Sequence, residues 1–220
     1  MITTFKSWRD LRRAVRRFIR DRRALAAVEF AFIVPLMLVL FFGTVEFSQG
    51  VAVDRKVTLT AGALSNLMSE TPTPTGGVVP TVADTDLQNM FTASISIMMP
   101  YSPTPTIAQI SEIYIDSSKN ATVNWSKAAT IGAGATQATL TTSTRNAGDN
   151  VTSLIPSQLL IGRTYLLLSE VSYRYVPAVG YVMAPSGINL SDSSYSRPRL
   201  GTCIVYNNVP VLTNNACPLL

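Results

Sequence analysis

Chemistry needs groups that hold or move charge, and this chain keeps few of them in useful company. Histidine is absent from all 220 residues, which removes the usual general base near neutral pH and the commonest metal ligand. Ser-His-Asp and Cys-His catalysis are therefore impossible within the chain. Beyond residue 45 the carboxylates stand singly, apart from Asp84 and Asp86, whose spacing suits the first turn of a helix. The glycine pair of IGAGAT (131–136) sits in a low-complexity stretch with no lysine placed for a phosphate, so it makes no P-loop. No catalytic residue, metal site or cofactor is expected, and the chain reads as non-enzymatic. Two features remain. Cys203 and Cys217 lie close together near the C-terminus; in an exported domain such a pair is expected to close a disulfide loop, with two unpaired thiols as the alternative. Glu29 is the other, a carboxylate early in the apolar run of RRALAAVEFAFIVP (22–35).

The charge distribution says which environment that run meets. Residues 1–23 hold nine basic and two acidic residues, +7 of a whole-chain +5, which leaves a weakly acidic remainder at −2. A nucleic-acid partner is not expected, because the basic charge is confined to one arm with little aromatic interleaving. From Ala24 to Val45, Glu29 is the only ionisable residue, and these 22 residues match the roughly 20 that cross a bilayer as a helix. The basic flank predicts that residues 1–23 stay in the cytoplasm and that the C-terminal body crosses the membrane. A cleaved secretory signal shares the same plan, but the run is long and the following GTVEFSQGVAVD offers no small-x-small cleavage site.

Within such a helix a carboxylate costs about 2.5–3.5 kcal/mol at the bilayer centre and less near an end, so it is retained where it finds a partner. Snorkelling to the interface beside Arg22 and Arg23 is the plainer account of Glu29. Pro35 frees a carbonyl near Ala31 and lets the helix bend, or is a proline simply tolerated in a membrane helix. Glu46 and Phe47 repeat the pair at the far interface, where solvation suffices to explain them.

Past Val45, the apolar residues Val53, Val57, Ala61, Leu64 and Met68 recur at helical steps, so the membrane helix is expected to continue as an amphipathic stalk. TPTPTGGVVP (71–80) stops it. A helix from about Leu25 to Ser69 would be about 65 Å long at 1.5 Å per residue. A shorter helix is expected across DTDLQNMFTASISIMMP, capped by Asp84 or Asp86, with a stripe of Leu87, Met90 and Phe91. The period then changes. SEIYID (111–116) and ATVNWS (121–126) read as a hairpin, RTYLLLSEVSYRY (163–175) as a third strand and TCIVYN (202–207) as a fourth. AATIGAGATQATLTTSTRNAGDN (128–150) reads as an exposed loop. The fold class is α+β: a long N-terminal helix, transmembrane then amphipathic, followed by a small, mainly antiparallel sheet. Trp125, Tyr165, Tyr173 and Tyr175 fit strand core better than a subunit contact. Arg197 and Arg199 of YSRPR could face a partner or merely water.

The basic leader, the small residues, the Glu-Phe pair and the apolar helix together resemble a type IV prepilin, in the variant used by tight-adherence (Flp) pili. AAVEFAFIVPLMLVLFFGTVEFSQ, IYIDSSKNATVNWSKA, SEVSYRYVP and YSRPR, spread over residues 25–199, are similar to the TadE-like minor pilins or pseudopilins of that system. The resemblance implies that a prepilin peptidase removes residues 1–24 by cutting between Ala24 and Leu25, with Ala24 where the family usually has glycine. It makes Glu29, Phe30 and Pro35 the assembly motif of a 25–45 helix, and gives Glu29 a partner in the new α-amino group of Leu25, in the same chain or a neighbour. It also implies residues 46–70 as the helix continuation and 71–220 as a periplasmic α+β domain. Other minor pilins, the major pilin, the peptidase and an inner-membrane assembly platform would be the partners. The protein would sit in the inner membrane, N-terminus cytoplasmic, and serve pilus priming, tip or shaft, and so adhesion. A permanently anchored single-pass periplasmic scaffold or adhesion protein is the competing class.

Overall fold

The computed structural model describes residues 12, 13, 15, 16, 22–75, 79–104, 106–177, 186–206 and 217. It falls into two compact units, Met1–Ser48 and Gln49–Leu220. Helix α1, Arg22–Ser69, begins in the first and ends in the second. Its end is set locally: Ser69 Oγ donates to Asn66 O at 2.7 Å and Thr71 Oγ1 to Met68 O at 2.7 Å, filling orphan carbonyls before Pro72 arrives.

In the second unit, Val53, Val57, Ala61, Leu64 and Met68 are fully or almost fully buried. They pack with α2 (Asp84–Ile95) and with one face of a five-stranded antiparallel sheet, through Leu87, Phe91, Ile110, Trp125 and Leu167. The sheet is built from β2 (Thr106–Ile115), β3 (Ala121–Thr130), β4 (Thr139–Thr141), β5 (Thr164–Tyr175) and β6 (Ile188–Ser196), in the order β4-β3-β2-β5-β6. β1 (Thr81–Val82) and β7 (Val205–Tyr206) make a separate parallel pair. Each large aliphatic side chain sealed in this way contributes roughly 1.5–3 kcal/mol, so the helical stripe is what fixes the sheet to the stalk. A second cluster, Ile113, Ile115, Val123, Leu166 and Leu168, lies under the 151–160 segment through Val151 and Ile155.

The architecture is α+β, a long apolar N-terminal helix followed by an antiparallel sheet domain. Three local expectations need correction. The cap of α2 is Ala83, neither Asp84 nor Asp86; Asp86 instead accepts the Ala83 N–H on Oδ2 at 3.2 Å, from inside the first turn. Residues 128–150 are not one exposed loop: β3 runs on to Thr130 because β2 offers it a partner back to Ile107, and β4 adds to its other edge. Ala138 there is buried, its carbonyl taken by Gln88 Nε2 (2.7 Å) and its N–H by Thr92 Oγ1 (2.9 Å), both from α2. TCIVYN is strand only at Val205–Tyr206, because side chains rather than a neighbouring strand bind the peptide groups of Ile204. β6, unannounced by the sequence, is a polar edge strand, INLSDSSYS, which pairs with β5 along its whole length.

Candidate membrane and assembly helix

From Ala26 the first unit turns its apolar side chains outward. Phe30 is 68% exposed, Phe32 78% and Val39 70%, and Leu36, Met37, Leu40 and Phe41 are each more than half exposed. Ala26–Ser69 contains a stretch long and apolar enough to cross a membrane, by length and composition, with no part of that stretch buried in the protein. The few hydroxyls are satisfied within the helix: Thr44 Oγ1 donates to Leu40 O at 2.8 Å and Ser48 Oγ to Thr44 O at 2.9 Å. Such i−4 bonds leave no polar hydrogen pointing into an apolar surround. Pro35 lies inside α1, which continues through it as helix; its missing N–H leaves the Ala31 carbonyl without its usual donor.

Glu29 and Phe30 share this exposed segment, and Glu29 has no hydrogen-bond or ion-pair partner among the described residues. Ala24 and Leu25 fall within the helical backbone of α1, but their side chains, like those of Arg22 and Arg23, lie outside the described residues. So does most of the 1–24 leader. Glu46 is half-buried and Phe47 exposed.

In the second unit Cys203 and Cys217 are joined, their Cα atoms 5.7 Å apart, and pack with Tyr165. Trp125, Tyr165, Tyr173 and Tyr175 are buried. Arg199 and Arg197 part company: Arg199 binds Glu70 at 2.6 Å and Asn66 at 3.3 Å, while Arg197 opens onto a pocket. One polar arrangement escaped the sequence reading. Glu112, fully buried in β2, accepts the Ile204 N–H on Oε1 (2.5 Å) and Asn124 Nδ2–H on Oε2 (2.7 Å). Trp125 Nε1–H donates to the carbonyl of the same Ile204 at 2.7 Å. Burial pushes the Glu112 carboxyl up to about 7, against the pull of the Ile204, Asn124 and Trp125 donors. A bulge makes this clasp: Glu112 faces Trp125 and Ile113 faces Val123, so Asn124 is the extra residue that re-aims β3. The only sequence signal was that Glu112 shares the inward phase of Ala108 and Ile110.

No curated protein and no solved structure matches the chain. A family model does, the one described as TadE-like protein, over residues 25–63. This chain therefore carries a TadE-like N-terminal segment, as the resemblance of its sequence indicated.

Proposed function

We propose that this is a structural, non-catalytic minor pilin or pseudopilin of a tight-adherence pilus. In this reading it is inserted in the inner membrane with residues 1–24 inside, cut after Ala24 by a prepilin peptidase, and assembled through its N-terminal helix with other minor pilins and the major pilin. The TadE-like family suggests association with a Tad pilus. The observation that carries the finer role is a coincidence of boundaries. The family match begins at Leu25, the residue that the proposed cut makes first, and it covers the exposed apolar segment that holds Glu29 and Phe30. An apolar surface of that extent needs lipid or other helices around it. Glu29 within it then has a reason to persist. Cleavage creates an α-amino group four residues away, and a pair formed away from water gains far more from its charges than one in solvent.

The test is the N-terminal sequence and intact mass of protein taken from membranes of cells with an active prepilin peptidase. The expected first residue is Leu25. Recovery of uncut leader on nearly all molecules would favour the permanently anchored scaffold and sink the pilin reading. Glu29→Val should insert and be processed yet fail to support surface pili; normal piliation would return Glu29 to snorkelling.

A further inference from the structure

Arg163 sits where an arginine is uncomfortable. It opens the approach to β5 with φ of 63°, in the left-handed region that glycine or asparagine occupies at less cost. Its neighbour Gly162 is fixed there for another reason, since a Cβ would come within 3.1 Å of the Asp116 carbonyl. The turn is held by the Arg163 N–H, which donates to Ile115 O at 2.8 Å. Nothing in that hydrogen bond requires the arginine side chain, and a non-glycine residue kept in a costly conformation asks for a separate use.

The side chain supplies one. Arg163 and Arg197 line a single pocket of about 160 Å³, together with Thr164, Tyr165, Pro198 and Thr202. No carboxylate is among these residues. Each ion pair among the described residues uses a different arginine, Arg145 with Glu170 and Arg199 with Glu70. Thr164 has already spent its hydroxyl proton on Ile161 O at 2.6 Å, and the two arginines are the charged residues of the lining. Tyr165 of the lining is buried, its ring centroid 5.1 Å from that of Tyr114, and it packs with the disulfide of Cys203, the residue after Thr202. Ligand pockets for whole metabolites run to about 300–1,000 Å³, so this one suits a single charged group.

We propose that Arg163 and Arg197 form a binding site for a phosphate or sulfate group, free or as an ester at the end of a larger molecule. Guanidinium forks match such oxyanions two bonds at a time, and a lining that holds two arginines and no carboxylate offers positive charge for an anion to compensate. The site lies wholly within the second unit and does not depend on the pilin reading.

The experiment is calorimetric titration of the full chain in neutral detergent, at constant ionic strength, with inorganic phosphate, inorganic sulfate, glucose 6-phosphate and glucose 6-sulfate. Saturable one-to-one binding is expected, and tighter binding of the esters than of the free ions would identify the ester as the source. Arg163→Gly and Arg197→Gln should each weaken binding at least about tenfold, as loss of charge-assisted hydrogen bonds does. Arg174→Gln, which removes the same charge outside the pocket, should leave binding intact. In the absence of anion, Arg163→Gly should melt no lower than the parent, because glycine relieves the left-handed backbone. Affinity for all four probes weaker than about 10 mM, full binding by Arg197→Gln, or an equal loss in Arg174→Gln would overturn the proposal.

Discussion

Because the chain has no histidine, no side chain with an ordinary pKa changes charge between about pH 5 and 7.5. Glu112 is the exception that burial creates. Its carboxyl holds its proton up to about pH 7 in the folded protein and releases it near 4.5 when exposed. Between those values the folded state binds more protons than the unfolded one, so stability must fall as pH rises, fully present below 4.5 and lost by about 7. At 1.36 kcal/mol per pH unit the loss is about 3 kcal/mol. The assay is urea unfolding of the full chain in neutral detergent at pH 5, 6, 7 and 8, read from the change in tryptophan fluorescence as Trp125, fully buried beside Glu112, becomes exposed. Glu112→Gln keeps an acceptor for the Ile204 N–H, and Asn124 can turn its amide oxygen to meet the new NH2. The variant should resemble the parent at pH 5, lose the slope, and exceed the parent by up to about 3 kcal/mol at pH 8. A parent whose stability is flat from pH 5 to 8, or a variant that keeps the parent's slope, would refute the reasoning.

Two further outcomes follow from the same unit. Replacing Cys203 and Cys217 by serine opens a loop of sequence separation 14 and should cost about 3 kcal/mol, seen as a lower urea midpoint that reductant reproduces in the parent. Leu64→Ala, at a fully buried position of the stalk stripe, should cost about 2–5 kcal/mol in the same assay. Leu67→Ala on the 39% exposed side of that helix should cost far less.

The stalk stripe was legible because burial on a helix repeats every three or four residues: Val53, Val57, Ala61, Leu64 and Met68 announce a face whatever lies against it. β2 and β3 were legible in part, over 111–115 and 121–126, from alternation, and β5 from a long run rich in aromatic and aliphatic residues. β6 was not. An edge strand exposed along much of its length is composed like a loop, and only pairing with β5 makes it a strand. The candidate helix 25–45 and Glu29 were legible from composition and charge order, since a membrane-length apolar run is a property of the chain alone.

The sequence by itself thus determined the apolar run, its single carboxylate, the stripe and the fold class, each of which depends on residues near one another in the chain. Tertiary structure decided the rest. It buried Glu112 against Ile204, 92 residues away, through a one-residue bulge that no local pattern announces. It also separated Arg197 from Arg199, sending one to a salt bridge with Glu70 and the other to share a pocket with Arg163. Neighbours in sequence fix periodicity, whereas the partner that a lone charge meets is fixed by how distant elements pack.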